Sequence, residues 1–331
     1  MQKKINIEFS RIQNALRNKM RKLTMEDYER RIKTEAMHFS SEAKTSQKDS
    51  DRVERFSPKV PAFDEAMRLY QPVFYEKMPH MALEQYILDY ISVNNQETSI
   101  VSLGCGTGDW EVALSEKSDK ISMELVEINS DLLKYAKRYS EKNNLKIKTI
   151  VQDANKLELD ADKYDFVIVR SSLHHFLELE HVFEEIKKIL KHNGKFLIMG
   201  EVIGRNGQLL YEETRVVVNN ILKALPEKFR FNHNDNKIDD EFPKIDYAKD
   251  SFEAIRSEEI YSLVLKYFHS VEHIAFDAII SYLLDFRYGP NYDLNNELDK
   301  SLIKTITELD KYYLKEKILK PTSLFGIFSP N

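Results

Sequence analysis

Apolar residues along this chain keep three successive rhythms. In the first, Ile12, Leu16, Met20 and Leu23 recur at helical spacing among Arg11, Arg17, Lys19, Arg21 and Lys22, predicting a basic amphipathic helical arm over residues 1–39. A stripe of that kind packs on its own domain or on a twin subunit, the latter giving a homodimer through the N-terminal helices. Attachment to a membrane surface or an anionic polymer is the other reading. The run SSEAKTSQKDSDRVERFSPKVP is polar and closed by two prolines, so residues 40–61 read as a linker. Helices over 62–99, carrying Met67, Tyr70, Phe74, Tyr75, Met81 and Ile87, then lead to a first strand.

From Ile100 the rhythm becomes an alternation of strand and helix. Apolar runs at Ile100–Leu103, Ser122–Ile128, Lys148–Val151, Phe166–Arg170 and Lys195–Met199 are separated by helical segments such as Asp131–Lys142 and Leu179–Leu190. That order implies a parallel sheet with helices on both faces, forming a core over 100–204. The Asn193-Gly194 step is expected to end a helix before the fifth strand. Beyond Gly204 the third rhythm sets in. Helices near Leu209–Leu225 and Ser257–Phe268 flank the polar stretch FNHNDNKIDDEFPKIDYAKD, while Val271–Phe276 and Leu324–Phe328 offer two more strands. Residues 205–331 therefore read as an insertion over the sheet together with its last two strands. The expected fold is α/β, a seven-stranded and mostly parallel sheet, with a helical N-terminal arm and helical insertions near the C-terminus.

Bulk chemistry narrows the function classes. The chain has 331 residues, 42% of them hydrophobic, and a formal net charge of -5, so no general attraction to nucleic acid is expected. A single cysteine, Cys105, excludes an internal disulfide and suits a reducing compartment. The charged start lacks the apolar core of a secretion signal, giving a cytoplasmic expectation. The apolar stretch His273–Leu284 is interrupted by Asp277 and flanked by Asp285, short of the roughly 20 residues a membrane span needs. No transmembrane segment is expected.

The candidate chemistry lies in IVSLGCGTGDWEVAL. Gly104, Gly106 and Gly108 alternate between an apolar strand and a helix, where backbone must turn tightly and approach a ligand. Glu127 closes the next strand, placing a carboxylate, with Ile128 beside it, where ribose hydroxyls bind. A dinucleotide loop requires glycine at position 109, and this chain has Asp109 there. A carboxylate repels pyrophosphate but suits a cationic sulfonium and an ammonium group.

With these motifs in order, the segment from Ile100 to Ile203 resembles the core of class I S-adenosylmethionine-dependent methyltransferases, which implies a Rossmann-like fold and S-adenosyl-L-methionine as cofactor. The resemblance implies that Gly104, Cys105, Gly106 and Gly108 form the cofactor loop and that Glu127 holds the ribose. It also implies that Asp153 and Ala154 of QDANKL sit beside the adenine, and that Arg170 and Ser171 of YDFVIVRSSLHHF face the methionyl group. Many members carry an acidic residue where this chain has Ser102. Serine can bond the methionyl amino group without a countercharge, which Asp109 is expected to supply. Weaker similarity of GEVIGRNGQ, DSFEAIRSEEI and the closing strand to methyltransferases of bacterial surface-glycan biosynthesis implies a sugar or glycan-linked acceptor.

The activity expected is methylation, at oxygen, of a small-molecule or glycan-linked acceptor. A protein or nucleic-acid acceptor and a noncatalytic S-adenosylmethionine-binding scaffold are the alternatives. Methyl transfer depends chiefly on alignment, with a general base useful for a hydroxyl acceptor. His174 and His175 are the candidate bases, against a packing role at the strand end. Glu201 and Tyr75 are candidate substrate contacts, with Tyr70, Tyr75 and Met81 as lid or helix-packing residues. Arg256 is expected in a surface salt bridge rather than on an acidic acceptor. Cys105 has no activating base and is read as packing, not as a nucleophile. Beyond the adjacent His174-His175 no metal-ligand spacing is visible, so no metal is expected.

Overall fold

In the central strands successive apolar residues alternate between two cores, as the two-residue period of a strand requires. Ile100, Phe166 and Ile168 enter one cluster, while Val101, Val167 and Val169 enter the other. Burial on both faces explains why these strands read as unbroken apolar runs. In this computed structural model, which describes residues 23–47, 53–54 and 59–331, seven strands form the sheet: β1 (Thr98–Leu103), β2 (Ile121–Glu127), β3 (Ile147–Val151), β4 (Tyr164–Arg170), β5 (Leu190–Val202), β6 (Phe268–Phe276) and β7 (Ser323–Pro330). Their order is β3-β2-β1-β4-β5-β7-β6. The first five are parallel, and β7 lies antiparallel between β5 and β6. The fold class read from the sequence is the one observed.

Strand order reverses at β1, whose neighbours are β2 and β4. A crevice opens at the carboxyl ends of strands at such a switch point, and open α/β sheets bind ligands there. Helices α1 (Met25–Ser46), α2 (Pro61–Lys77) and α3 (Leu83–Asn94) precede the sheet. Helices α4 (Asp109–Ser115), α5 (Ser130–Asn143) and α6 (Leu179–Ile189) connect its parallel strands. Helices α7 (Glu212–Ala224), α8 (Ser257–Tyr267) and α9 (Glu297–Lys315) belong to the C-terminal part.

Two boundaries differ from expectation. Helix α6 ends at Ile189, and Leu190 is already extended, so β5 begins before the Asn193-Gly194 step rather than after it. Helix α1 continues to Ser46 through residues expected to be linker. Its polar side chains are compatible with a helix surface, and Asn129 Nδ2 donates to Ala36 O and Ser40 Oγ, both at 3.0 Å. Ile12, Leu16 and Met20 of the predicted arm lie outside the described residues.

Helix α1 packs on its own domain. The guanidinium of Arg31 donates to the carbonyls of Ala248, Ser251 and Lys249, and Leu23, Tyr28 and Ile32 pack on Leu177, Phe252 and Ile255. The helix is thereby fixed to the segment before α8 and lies across the carboxyl end of the sheet. No described helix is long and apolar enough to cross a membrane.

Candidate active site at the switch point

A cavity of about 410 Å³ opens at the carboxyl ends of β1, β2 and β4. Its floor is the glycine loop, where Gly104, Gly106 and Gly108 take φ values of +67°, +59° and +74°. Each glycine answers a different demand. A Cβ on Gly104 would stand 2.7 Å from Ser172 Cβ, whose hydroxyl ties the loop to β4 by donating to Leu103 O at 2.8 Å. A Cβ on Gly106 would meet nothing within 4 Å, so the backbone there lies bare toward the cavity. A Cβ on Gly108 would stand 3.0 Å from Ala136 and from Leu125. Gly108 does not line the cavity and serves the packing of α4 and α5 on the sheet, which corrects its expected place in the cofactor wall.

Glu127 stands at the carboxyl end of β2, with Oε2 accepting the Gly106 N–H and Oε1 the Asn129 N–H, each at 3.0 Å. Burial pushes its carboxyl pKa up, and the two amides act against that shift. Ile128 follows on the wall. Past β3, Asp153 accepts the Tyr28 hydroxyl at 2.6 Å and the Asn155 N–H at 2.9 Å, with Ala154 beside it on the wall. Cys105 lines the cavity too, and burial, then Glu111 and Glu127, push its thiol well above the ordinary range. That shift is unsuited to a nucleophile.

Arg170 at the end of β4 forms an ion pair with Asp109 across the cavity. Burial works against the guanidinium charge, while Glu111 and Asp109 hold it. Ser171 follows at φ +49° and donates to Gly200 O at 2.8 Å. Ser102 does not reach the wall. It is fully buried, and its hydroxyl donates to Glu111 Oε1 at 2.7 Å. This corrects its expected contact with the methionyl amino group. Near that end stand Asp109, already paired, and the fully buried Glu111, whose pKa burial raises and whose Oε2 has no hydrogen-bond partner.

At the far end of the cavity Glu201 is fully buried and accepts the N–H groups of Ser172, Leu173, His174 and Val202. Burial alone would raise its pKa, but His174 and these amides lower it. It is therefore a brace for the turn after β4, which corrects its expected substrate contact. His174 Nδ1 lies 2.6 Å from Glu201 Oε1, and its Nε2 lies 3.4 Å from Glu253 Oε1. His175 presents Nε2 to Glu253 Oε2 at 3.4 Å and Nδ1 to Glu35 Oε2 at 3.5 Å. Burial would lower the His175 pKa, but Glu35, Glu253 and Glu201 push it up to about 9.

Tyr75 is half exposed on α2, away from the cavity, and Tyr70 is buried against Asp310, so neither belongs to a lid. The roof is α1, which contributes Tyr28, Ile32, Glu35 and Phe39. Those four stand at helical spacing on one face of α1, a signal the sequence contains but that was not singled out. Glu253 and Phe252 come from the segment before α8, and no local pattern announced them. Arg256 is in a salt bridge as expected, but a buried one, donating to Glu180, Glu259 and Leu177 O.

The residues present suit S-adenosylmethionine: a bare glycine backbone, a carboxylate at the end of β2, a second after β3, and the Arg170–Asp109 pair opposite them. A seven-stranded sheet in this order, with that loop and acid at its switch point, is a Rossmann-like arrangement suited to a nucleoside cofactor. Residues 100–194 match the methyltransferase domain family.

Among curated relatives, the ubiquinone/menaquinone biosynthesis C-methyltransferase of Rickettsia prowazekii (strain Madrid E) is 27% identical over 115 residues, 33% of this chain and 46% of that protein. A malonyl-[acyl-carrier protein] O-methyltransferase of Priestia megaterium is 26% identical over 122 residues, 37% of this chain and 42% of its own length. The chain thus spans less than half the length of these relatives. The solved structure of the PH0226 protein from Pyrococcus horikoshii OT3 aligns over 81% of this chain and 91% of its own, at 16% identity and a TM-score of 0.41.

Proposed function

We propose that this protein transfers the methyl group of S-adenosylmethionine to a hydroxyl of a small polar acceptor, a sugar or glycan-linked hydroxyl being the favoured class. The observation that carries this reading is the meeting of Gly106, Glu127, Asp153 and Arg170 on one cavity at the switch point. When bound, S-adenosylmethionine supplies a sulfonium methyl group that a nucleophile can take. Glu127 would hold the ribose hydroxyls in exchange for its loop amides, Asp153 the adenine in exchange for Tyr28, and Arg170 the methionyl carboxylate.

The cavity volume falls in the range of about 300–1,000 Å³ typical of small-molecule sites, and α1 closes it above, which favours a small acceptor over a polymer. His174, His175 and Glu253 are the groups a hydroxyl would meet. With its pKa at about 9, His175 is protonated near neutral pH as long as no cation displaces the proton, and in that state it is a donor. Burial opposes ionisation of Glu253, but His174, His175 and Gln208 lower its pKa, so it faces them as a carboxylate.

Calorimetric titration with S-adenosylmethionine, followed by a methyl-transfer screen over sugar nucleotides and glycan fragments, tests this reading. One-to-one binding and methylation of a hydroxylated acceptor are expected. Absence of binding would overturn the cofactor assignment, and binding without turnover on any acceptor would leave a scaffold in place of an enzyme.

A further inference from the structure

The His174–His175–Glu253 cluster contains more order than a hydrogen-bond network at a strand end requires. The two imidazoles lie side by side, ring centroids 4.3 Å apart, and each turns Nε2 toward a different oxygen of the same carboxylate at 3.4 Å. His174 Nδ1 also rests on Glu201 at hydrogen-bond distance, and Glu35 faces His175 Nδ1 more loosely, at 3.5 Å. Metal-binding histidines characteristically have that second partner, which fixes the tautomer and directs the free nitrogen at the ion.

We propose that His174 Nε2, His175 Nε2 and the Glu253 carboxylate bind a divalent first-row transition-metal ion at the acceptor end of the cavity. The three ligand atoms lie within 4.8 Å of one another. Ligands about 2.0–2.1 Å from a tetrahedral zinc stand about 3.3 Å apart. The two nitrogen-to-oxygen contacts, 3.4 Å each, are close to that but reach different oxygens of Glu253, so the carboxylate would bind through both oxygens or turn to present one. Two imidazoles and one carboxylate suit zinc, cobalt, manganese or iron better than a hard cation such as calcium. Charge points the same way. Glu35, Glu201 and Glu253 place three carboxylates around two imidazoles, an excess that a divalent cation offsets.

Three protein ligands leave a coordination position free for a ligand oxygen from the cavity. A hydroxyl held there would lose its proton to solvent more readily than one in water. This use of the ion rests on the proposed methyl transfer, whereas binding of the ion does not. Linear spacing could not show the set, because Glu253 reaches the histidines only through the fold.

The test uses the full chain, freed of metal by dialysis against a chelator and titrated with Co²⁺ by visible absorption and with Zn²⁺ by calorimetry. One equivalent of each is expected, with Co²⁺ bands of a low-coordinate nitrogen and oxygen site. Glu253→Gln and His175→Gln should each weaken Zn²⁺ binding at least tenfold, with circular dichroism confirming the fold. His233→Gln, at an exposed histidine, should leave it unchanged. Lack of stoichiometric binding by the parent chain, or equal affinity in both site variants, would overturn the proposal. S-adenosylmethionine titrated into the metal-free protein separates the two readings. Cofactor binding without metal binding removes the metal site alone, and metal binding without cofactor binding removes the cofactor reading alone.

Discussion

Glu201 and Asp310 are both carboxylates buried to the last atom, yet their surroundings set them apart. Glu201 receives four backbone N–H groups and an imidazole, and its pKa is lowered in spite of burial. Asp310, on α9, receives Ala278 N–H, Ile279 N–H and the Tyr70 hydroxyl. Burial, and then the neighbouring Asp277, push its pKa up to about 7. The first is a charge braced so that His174 beside it can face a cavity. The second closes a junction between α2, α9 and the end of β6 and does not line the cavity at the switch point. Buried charge is therefore not itself the mark of a site. What marks one is charge held ionised beside open space.

The largest effect expected from breaking this contrast is on Glu201. Replacing it by alanine leaves four amides and His174 without their partner, and should cost about 3–5 kcal/mol in denaturant unfolding. A loss below about 1 kcal/mol would show that the turn after β4 does not depend on this brace.

The loop glycines sharpen the comparison at the next level. Gly104→Ala combines positive φ with a clash against Ser172 and should cost about 2–3 kcal/mol of stability. Gly106→Ala carries only the backbone strain, about 1 kcal/mol, because its Cβ enters open space. Its main effect should appear in cofactor affinity. Equal unfolding midpoints for the two variants would contradict the division between a packing glycine and a ligand-facing one.

Asp310 predicts a pH-dependent effect. Its folded pKa, about 7, lies above the ordinary value of 3.8, so its contribution is complete below pH 3.8 and fades as pH rises through 7. Stability should fall by on the order of 2–3 kcal/mol between pH 5 and pH 8. Asp310→Asn should flatten that slope, as read from urea unfolding across the range. A slope unchanged in the variant would place its origin elsewhere.

The sheet was legible because its strands are buried on both faces and each break between them has a local cause. The floor of the site was legible too, since a glycine loop and the acid ending the next strand are close in sequence. Ser102, Gly108 and Glu201 were misjudged for one reason. Position along a motif does not reveal orientation: the Ser102 and Glu201 side chains turn inward to Glu111 and the strand-end amides, and the Gly108 backbone is packed against Leu125 and Ala136. The roof was harder to read. Tyr28 and Glu35 sit on a helix read as packing on its own domain or a twin subunit, with nothing to say that it covers the cavity, and Glu253 is carried in by the anchoring of α1 to the segment before α8.

Whether Glu127 and the bare loop beside it bind S-adenosylmethionine is decided by calorimetric titration of the parent chain against Glu127→Ala. The parent should bind one equivalent, and the variant should bind about 10–100-fold more weakly, corresponding to about 1–3 kcal/mol for lost ribose hydrogen bonds. Equal affinity in the two proteins would contradict the account.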